Sequence, residues 1–193
     1  MTINQEDYER ARTFRLHRDG KLILHPGVGV NIENFHNLEV DCLEKRAELG
    51  VKADQIVFIT VGELIDRKNH DILIDAMKKI NRSDVILLIA GAGVNMSKLQ
   101  SRIDSEGLKN SVKLLGYRTD IKELLKASDC FVFPSFQEGL PGALMEAMAS
   151  GLPCVASNIR GNTDALGDSE FMFSPDNCDQ LVLLMKKMLD SNV

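Results

Sequence analysis

From about residue 21 onward the chain alternates short, unbroken apolar runs with stretches of helical periodicity, and few folds accept that pattern. The runs are Lys21–His25, Gln55–Val61, Val85–Ala90, Val112–Leu115, Cys130–Phe133 and Pro153–Ala156. Most are rich in Val, Ile and Phe and lack polar alternation, which marks strands covered on both faces. Between them, Leu73, Ala76, Met77 and Ile80 recur at i, i+3, i+4 and i+7, with Asn69 placed to cap the helix they predict. Leu181, Leu184, Met185 and Met188 form a second such stripe near the end. Regular βα alternation predicts an α/β fold with a doubly wound, mostly parallel sheet and right-handed crossovers. At 193 residues there is room for one such domain with a proper core. Ligands of these sheets sit beyond the carboxyl ends of the strands, so the turns after the strands are where to search.

Composition narrows the partners. A net charge of −5 argues against a polyanion as the main partner, so no nucleic acid is expected. No apolar run approaches the roughly 18 residues that span a bilayer. The opening Met1 to Tyr8 is polar and acidic, unlike a signal peptide. Cysteines at 42, 130, 154 and 178 form no Cys-x-x-Cys pair, which suits neither zinc nor a disulfide framework and points to the reducing cytoplasm. Cys130 and Cys154 read as core, and Met145 and Met148 as packing. His17, His25, His36 and His70 are scattered, so no metal is expected, and His70 reads as a surface or capping residue at a helix start. Residues 1–20 differ from the rest. Asn4 to Arg18 reads as one helix or helix-plus-arm whose Arg10, Arg12, Arg15, His17 and Arg18 form a basic face, more often simply solvated than a surface for a membrane or partner, leaving 21–193 as the main domain.

Two turns carry the chemistry. After Phe133 come Pro134-Ser135-Phe136-Gln137-Glu138-Gly139-Leu140-Pro141-Gly142, then the helix-forming run Ala143 to Ala149. Pro141 suits the first helical position, and Gly139 and Gly142 let a ligand approach the backbone closely. The unpaired N–H groups and positive dipole end at such a helix start favour an anion, phosphate above all. Glu146 lies about five residues in, roughly 7–8 Å along the axis, where a ribose attached to a diphosphate at the tip would sit. A carboxylate there can accept both vicinal hydroxyls. Glu138, just before the helix, would face the other side of the diphosphate. Either glutamate alone reads as solvated; their joint placement around a Gly/Pro-rich helix start argues for function. The second turn, Thr60 to His70, puts Arg67 and Lys68 at another strand's carboxyl end.

These residues resemble a family. Gly62-x5-Lys68-Asn69, Gly91-x-Gly93, Leu114-Leu115-Gly116-Tyr117-Arg118 and Pro134-Ser135-x-x-Glu138-Gly139-x6-Glu146-Ala147-Met148-Ala149-x-Gly151-x-Pro153 are similar to the donor-binding half of family-4 glycosyltransferases. Those are retaining enzymes with two facing Rossmann-like domains, the B-type fold, and the wording here is most similar to bacterial exopolysaccharide and capsule enzymes using UDP-sugars. Thr2 to Tyr8 and His25 to Gly29 resemble the family's crossing from its first domain into its second. The resemblance implies that Lys68 contacts the donor diphosphate, Glu146 the ribose, and Glu138 the donor sugar and reaction centre. It further implies that Gly62 and Glu63 border the donor, that backbone from Gly139 through Leu140 and Pro141 to Gly142 holds phosphate, and that Tyr117 and Arg118 lie near the base. No cofactor or metal is implied. The partners implied are a UDP-sugar carrying a hexose or N-acetylhexosamine, and a polysaccharide or lipid-linked acceptor that would bring the protein to the inner face of the membrane.

Two departures matter. Many members carry an arginine directly after the glycine matching Gly62, paired with the lysine on the diphosphate; this chain has Glu63, which repels phosphate unless Arg67 compensates or Glu63 turns away. The acceptor-binding domain is also missing, apart from the stub before residue 20, and the chain stops at Val193 short of the family's terminal helix. The expectation is half an enzyme, whether a fragment, a truncated product or one subunit of a split pair, inactive without an acceptor domain. A non-catalytic nucleotide-sugar-binding module is the rival from another class. Gly91-Ala92-Gly93 also suggests a dinucleotide fold, but Met96 replaces its third glycine and no acidic residue follows at the right distance. A non-hydrolysing sugar-nucleotide epimerase would share the architecture.

Overall fold

The structure is a computed structural model and describes residues 5–25, 27, 29–167 and 169–190. Thr2, Ile3, Asn4, Pro26 and Val28, which belong to the domain-crossing resemblance, lie outside the described residues. Three short helices come first: α1 (Gln5–Ala11), α2 (Glu33–His36) and α3 (Cys42–Glu48). Then β1 (Ile56–Val61) leads through a 3-10 turn (Asp66–Lys68) into α4 (His70–Ile80). The alternation continues with β2 (Val85–Ala90), α5 (Met96–Ser105), β3 (Val112–Gly116), α6 (Ile121–Lys126) and β4 (Cys130–Phe133). It ends with α7 (Gly142–Ala149), β5 (Cys154–Ser157), α8 (Arg160–Leu166), β6 (Met172–Phe173) and α9 (Cys178–Asp190).

The six strands lie in the order β3-β2-β1-β4-β5-β6, and every pairing is parallel. Successive side chains of a strand point to opposite faces, and both faces here are buried. Phe58, Leu87, Ile89, Val132, Val155 and Phe173 join the apolar stripes of α4, α5 and α9 on one side. Val57, Ile59, Ile86, Leu88, Phe131, Phe133 and Ala156 join Leu124, Leu144 and Ala147 on the other. The unbroken apolar runs are the signature of this two-sided burial. All four positions of each expected helical stripe, Leu73 to Ile80 and Leu181 to Met188, are buried.

Three expectations give way. Lys21–His25 is not a strand of the sheet: Leu24 makes an isolated bridge, and Ile23 and Leu24 are exposed. The sixth strand is Met172–Phe173, two residues long, too short to show a period. The N-terminal helix stops at Ala11, and Thr13 donates its N–H and its hydroxyl to Arg10 O, because no apolar stripe carries the helix further. Asp7 from α1 forms a two-bond ion pair with Arg160 at the start of α8, at 2.9 and 3.1 Å.

The strand order reverses between β1 and β4. Their carboxyl ends therefore open a crevice that no crossover helix closes. Both chemistry-bearing turns of the sequence empty into it.

Candidate functional site

Side-chain and main-chain bonds join these two turns. Asn69 was expected to cap α4, but it sits in the left-handed region (φ 52°, ψ 40°) and makes no capping bond. Its buried amide donates to Pro134 O at 3.2 Å and Pro175 O at 2.9 Å instead. Phe136 N–H donates to Arg67 O at 2.9 Å, and the Arg67 guanidinium donates to Gln137 O at 2.7 Å. The stem of Lys68 passes over Gly62, and its ammonium lies 4.9 Å from the centre of the Phe133 ring. Lys68 ends on Glu138 Oε1 at 2.6 Å, while Arg67 reaches Glu138 Oε2 at 3.4 Å.

Glu138 is buried, and its main chain is fixed from behind. Gly161 in α8 lies so close that a Cβ there would stand 2.7 Å from Glu138 O. Behind it, Ser157 Oγ donates to Ser135 O at 2.5 Å, and Asn162 Nδ2 donates to Ser157 O at 2.9 Å. Ser157, Gly161 and Asn162 gave no sequence signal, because their role depends on packing between elements that follow different strands.

Gly139 and Gly142 are exposed, Leu140 is half-buried and Pro141 is buried. Pro141 is the residue before α7 rather than its first member, with φ −81° and ψ 72°. Gly142 N–H donates to Leu140 O at 2.9 Å, so the amides of Ala143 and Leu144 are the ones with no main-chain acceptor among the described residues. Glu146, the fifth residue of α7, is half-buried, and its carboxylate has no hydrogen-bond partner among the described residues. Burial raises its carboxyl above the usual range, with the nearby Lys122 charge offsetting part of the effect.

Gly62, Glu63, Tyr117 and Arg118 meet around a separate cleft of about 340 Å³, completed by Val61, Ala90, Gly91, Ala92 and Ile121 at the ends of β1 and β2 and the start of α6. Glu63 is exposed at its rim, and Lys68 pairs with Glu138 rather than with it. Tyr117 is 78% exposed. Arg118 is not a free cation. Its guanidinium is held by Asp120 and Glu48, hydrogen bonds that push it upward and hold the Asp120 carboxyl well below its usual range. The guanidinium therefore lines the cleft as a pinned plane with its charge compensated.

Other sequence readings change on folding. Met148 is 40% exposed and, with Met145, Val30 and Ile32, lines an apolar groove instead of filling the core. Cys130 and Cys154 are buried as expected, and burial pushes the Cys154 thiol up to about 12. His70 is buried rather than superficial, and its Nδ1 has no partner among the described residues. Among the described residues, no group of three or more His, Cys, Asp or Glu side chains is placed to hold a metal, and no helix is long and apolar enough to cross a membrane.

Residues 42–192 match the family described as Glycosyl transferases group 1. The chain is 36% identical over 173 residues to the Escherichia coli UDP-Gal:alpha-D-GlcNAc-diphosphoundecaprenol alpha-1,3-galactosyltransferase, covering 86% of this chain and 44% of that protein. It is 34% identical over 135 residues to the Staphylococcus aureus capsular polysaccharide biosynthesis glycosyltransferase CapH, covering 67% and 37%. Among solved structures, Anabaena HepE in complex with UDP and glucose superposes with a TM-score of 0.78 at 26% identity, over 85% of this chain and 46% of that one. The chain spans less than half the length of each of these proteins.

His70 gives the site a measurable pH signature. Burial pushes its imidazole down to about 4, the Lys68 charge adds to this, and Asp71 opposes it. The folded protein refuses a proton that the unfolded chain takes up below about pH 6.5, so stability falls as the pH drops from there towards 4. Between pH 7 and pH 5 the loss from this group is on the order of 2 kcal/mol. Urea denaturation should show a shallower decline over that interval in His70→Gln than in the unaltered protein. Parallel declines would remove His70 as the cause.

Proposed function

The chain belongs to the group 1 glycosyl transferases, and from that premise we propose that it is the donor-binding half of a family-4 retaining enzyme. The whole enzyme moves a hexose or N-acetylhexosamine from a UDP-sugar to a polysaccharide or lipid-linked acceptor at the inner face of the membrane. One observation carries this reading: Lys68, Arg67 and Glu138 converge at the β1/β4 reversal, beside the helix start that leads to Glu146. The E. coli relative's name specifies UDP-Gal and a diphosphoundecaprenol acceptor, and the Anabaena structure holds UDP and glucose, which supports the donor class.

The donor would lie across the crevice. Its base occupies the cleft between Gly62 and Arg118, with Tyr117 over it and Glu63 at the edge. Its ribose hydroxyls reach the Glu146 carboxylate. Its diphosphate meets the loop Gly139-Leu140-Pro141-Gly142, the first amides of α7 and the Lys68 ammonium, and its sugar faces Glu138, the candidate catalytic residue. Transfer with retention breaks the bond between the anomeric carbon and the diphosphate, and negative charge grows on the departing oxygen. Amides and an ammonium placed against that oxygen once the donor is bound stabilise the charge without further reorganisation during the reaction. The protein's further part is to hold donor and acceptor in line and to exclude water, and for that the acceptor needs a facing domain.

The assignment separates by ligand. Lys68→Ala should weaken UDP by about tenfold or more, the scale of a lost charge-assisted hydrogen bond, while uridine binding stays nearly constant. Calorimetry giving equal losses for both ligands would place Lys68 away from the phosphates.

Glu146→Gln should act in two directions. Removing a half-buried, unpartnered charge should raise Tm of the free protein by about 1–3 °C. Affinity for UDP and for uridine should both fall, by roughly 1–3 kcal/mol, because both carry the ribose. Unchanged uridine affinity in the folded variant would remove Glu146 from the ribose.

Residues 1–193 should bind UDP and transfer nothing until an acceptor domain is supplied, as a fusion or as a separate chain. Efficient sugar transfer to purified acceptor by these residues alone would overturn the half-enzyme reading, whereas UDP binding with no transfer even when the acceptor domain is present would favour the non-catalytic module.

A further inference from the structure

The two cations at the β1/β4 reversal both end on the same side chain. Glu138 gives one carboxylate oxygen to Lys68 at 2.6 Å and the other to Arg67 at 3.4 Å. The carboxylate is 7% exposed and the Lys68 side chain 14%, so water screens this pair little. The Arg67 side chain is 42% exposed, and Arg67 is held towards the site by its bond to Gln137 O. Arg118, the other guanidinium close by, is committed to Glu48 and Asp120. A diphosphate entering this crevice therefore finds no uncommitted cation among these three.

We propose that Arg67, together with Lys68, binds the donor's diphosphate, and that Glu138 is an internal anion which the diphosphate displaces from both. The proposal rests on the donor-site reading above. A diphosphate brought onto the two cations that Glu138 already holds meets the repulsion of that carboxylate, and in a poorly screened crevice this favours exchange over simple addition. The parts that must move are able to. Lys68 turns on a flexible four-carbon stem that lies over Gly62, a residue without a side chain, and Arg67 is at the surface. Gly161 packs against the Glu138 main chain, so the carboxylate can follow the cations only by turning about its own side-chain bonds. Displacement thus leaves Glu138 without its cations only when the diphosphate has arrived, which is when the donor sugar lies against it. Arg67 also answers the charge problem set by Glu63: the second cation enters from the middle of the 3-10 turn, five residues after Gly62.

The test is calorimetry with UDP and with uridine on the full chain. Glu138→Gln keeps the shape of the side chain and removes its charge. It should bind UDP about tenfold more tightly than the unaltered protein, with uridine changed less than about twofold. Arg67→Gln, at an exposed position, should bind UDP about five- to tenfold more weakly, with uridine again changed less than about twofold, which separates loss of the cation from a disturbed loop. In a chain carrying both Arg67→Gln and Lys68→Ala, adding Glu138→Gln should recover less than about twofold. The proposal is overturned if folded Glu138→Gln binds UDP no better than the original. It is overturned equally if Arg67→Gln leaves UDP affinity unchanged, or if the Glu138→Gln gain persists undiminished once both cations are gone. Failure of every version, the unaltered chain included, to bind UDP would instead remove the donor-site reading itself.

Discussion

Two main-chain carbonyls, those of Pro134 and Pro175, share one donor, the side-chain amide of Asn69. Both acceptors are distant in sequence, and the donor is buried, so the bonds define where three segments meet. A buried carbonyl that loses its donor keeps its desolvation cost, which makes the arrangement hard to alter piecemeal. The Phe136–Arg67 and Arg67–Gln137 bonds extend the same contact outward. Everything functional in the crevice follows from this join. Lys68 precedes Asn69 and Glu138 follows Phe136, so joining the turns brings ammonium and carboxylate together.

The electrostatics of the site divide into compensated and uncompensated groups. Lys68 with Glu138, and Arg118 with Asp120 and Glu48, are charges that meet their opposites. Taking one member from a buried pair leaves the other stranded, so such pairs specify an arrangement more than they add net stability. Glu146 and His70 are the opposite case. Each is held away from water without a hydrogen-bond partner for a ring or carboxylate atom among the described residues, and burial shifts one up and the other down. A carboxylate kept partly dry and unpartnered is costly in the free protein and ready for a hydroxyl-bearing ligand.

Much of this was legible in the residue order. Largely apolar runs of four to seven residues revealed five of the six strands, because burial on both faces removes polar alternation. Glu138 and Glu146 stood out because a Gly/Pro-rich helix start after a buried strand has few other uses. The misses share one cause. Met172–Phe173 is too short for a period, and its pairing with β5 exists only in the assembled sheet. Lys21–His25 has the composition of a strand but no place in that sheet. His70 and Asn69 occupy positions where capping chemistry is common, yet both are buried, Asn69 with its amide bonded to the segments after β4 and β6.

The order of residues by itself determined five of the six strands, their parallel arrangement and the two turns that carry charge, since each rests on a period or spacing within some twenty neighbours. It also set the family, through glycines and glutamates whose spacing is local. Only the tertiary structure decided which charge meets which. That β1 lies beside β4, that Asn69 bridges two loops, that Arg67 and Lys68 both end on Glu138, and that Arg118 meets Glu48 all depend on contacts across 65 to 106 residues. Such contacts form only when a whole sheet is assembled, because the burial that stabilises them belongs to no single segment.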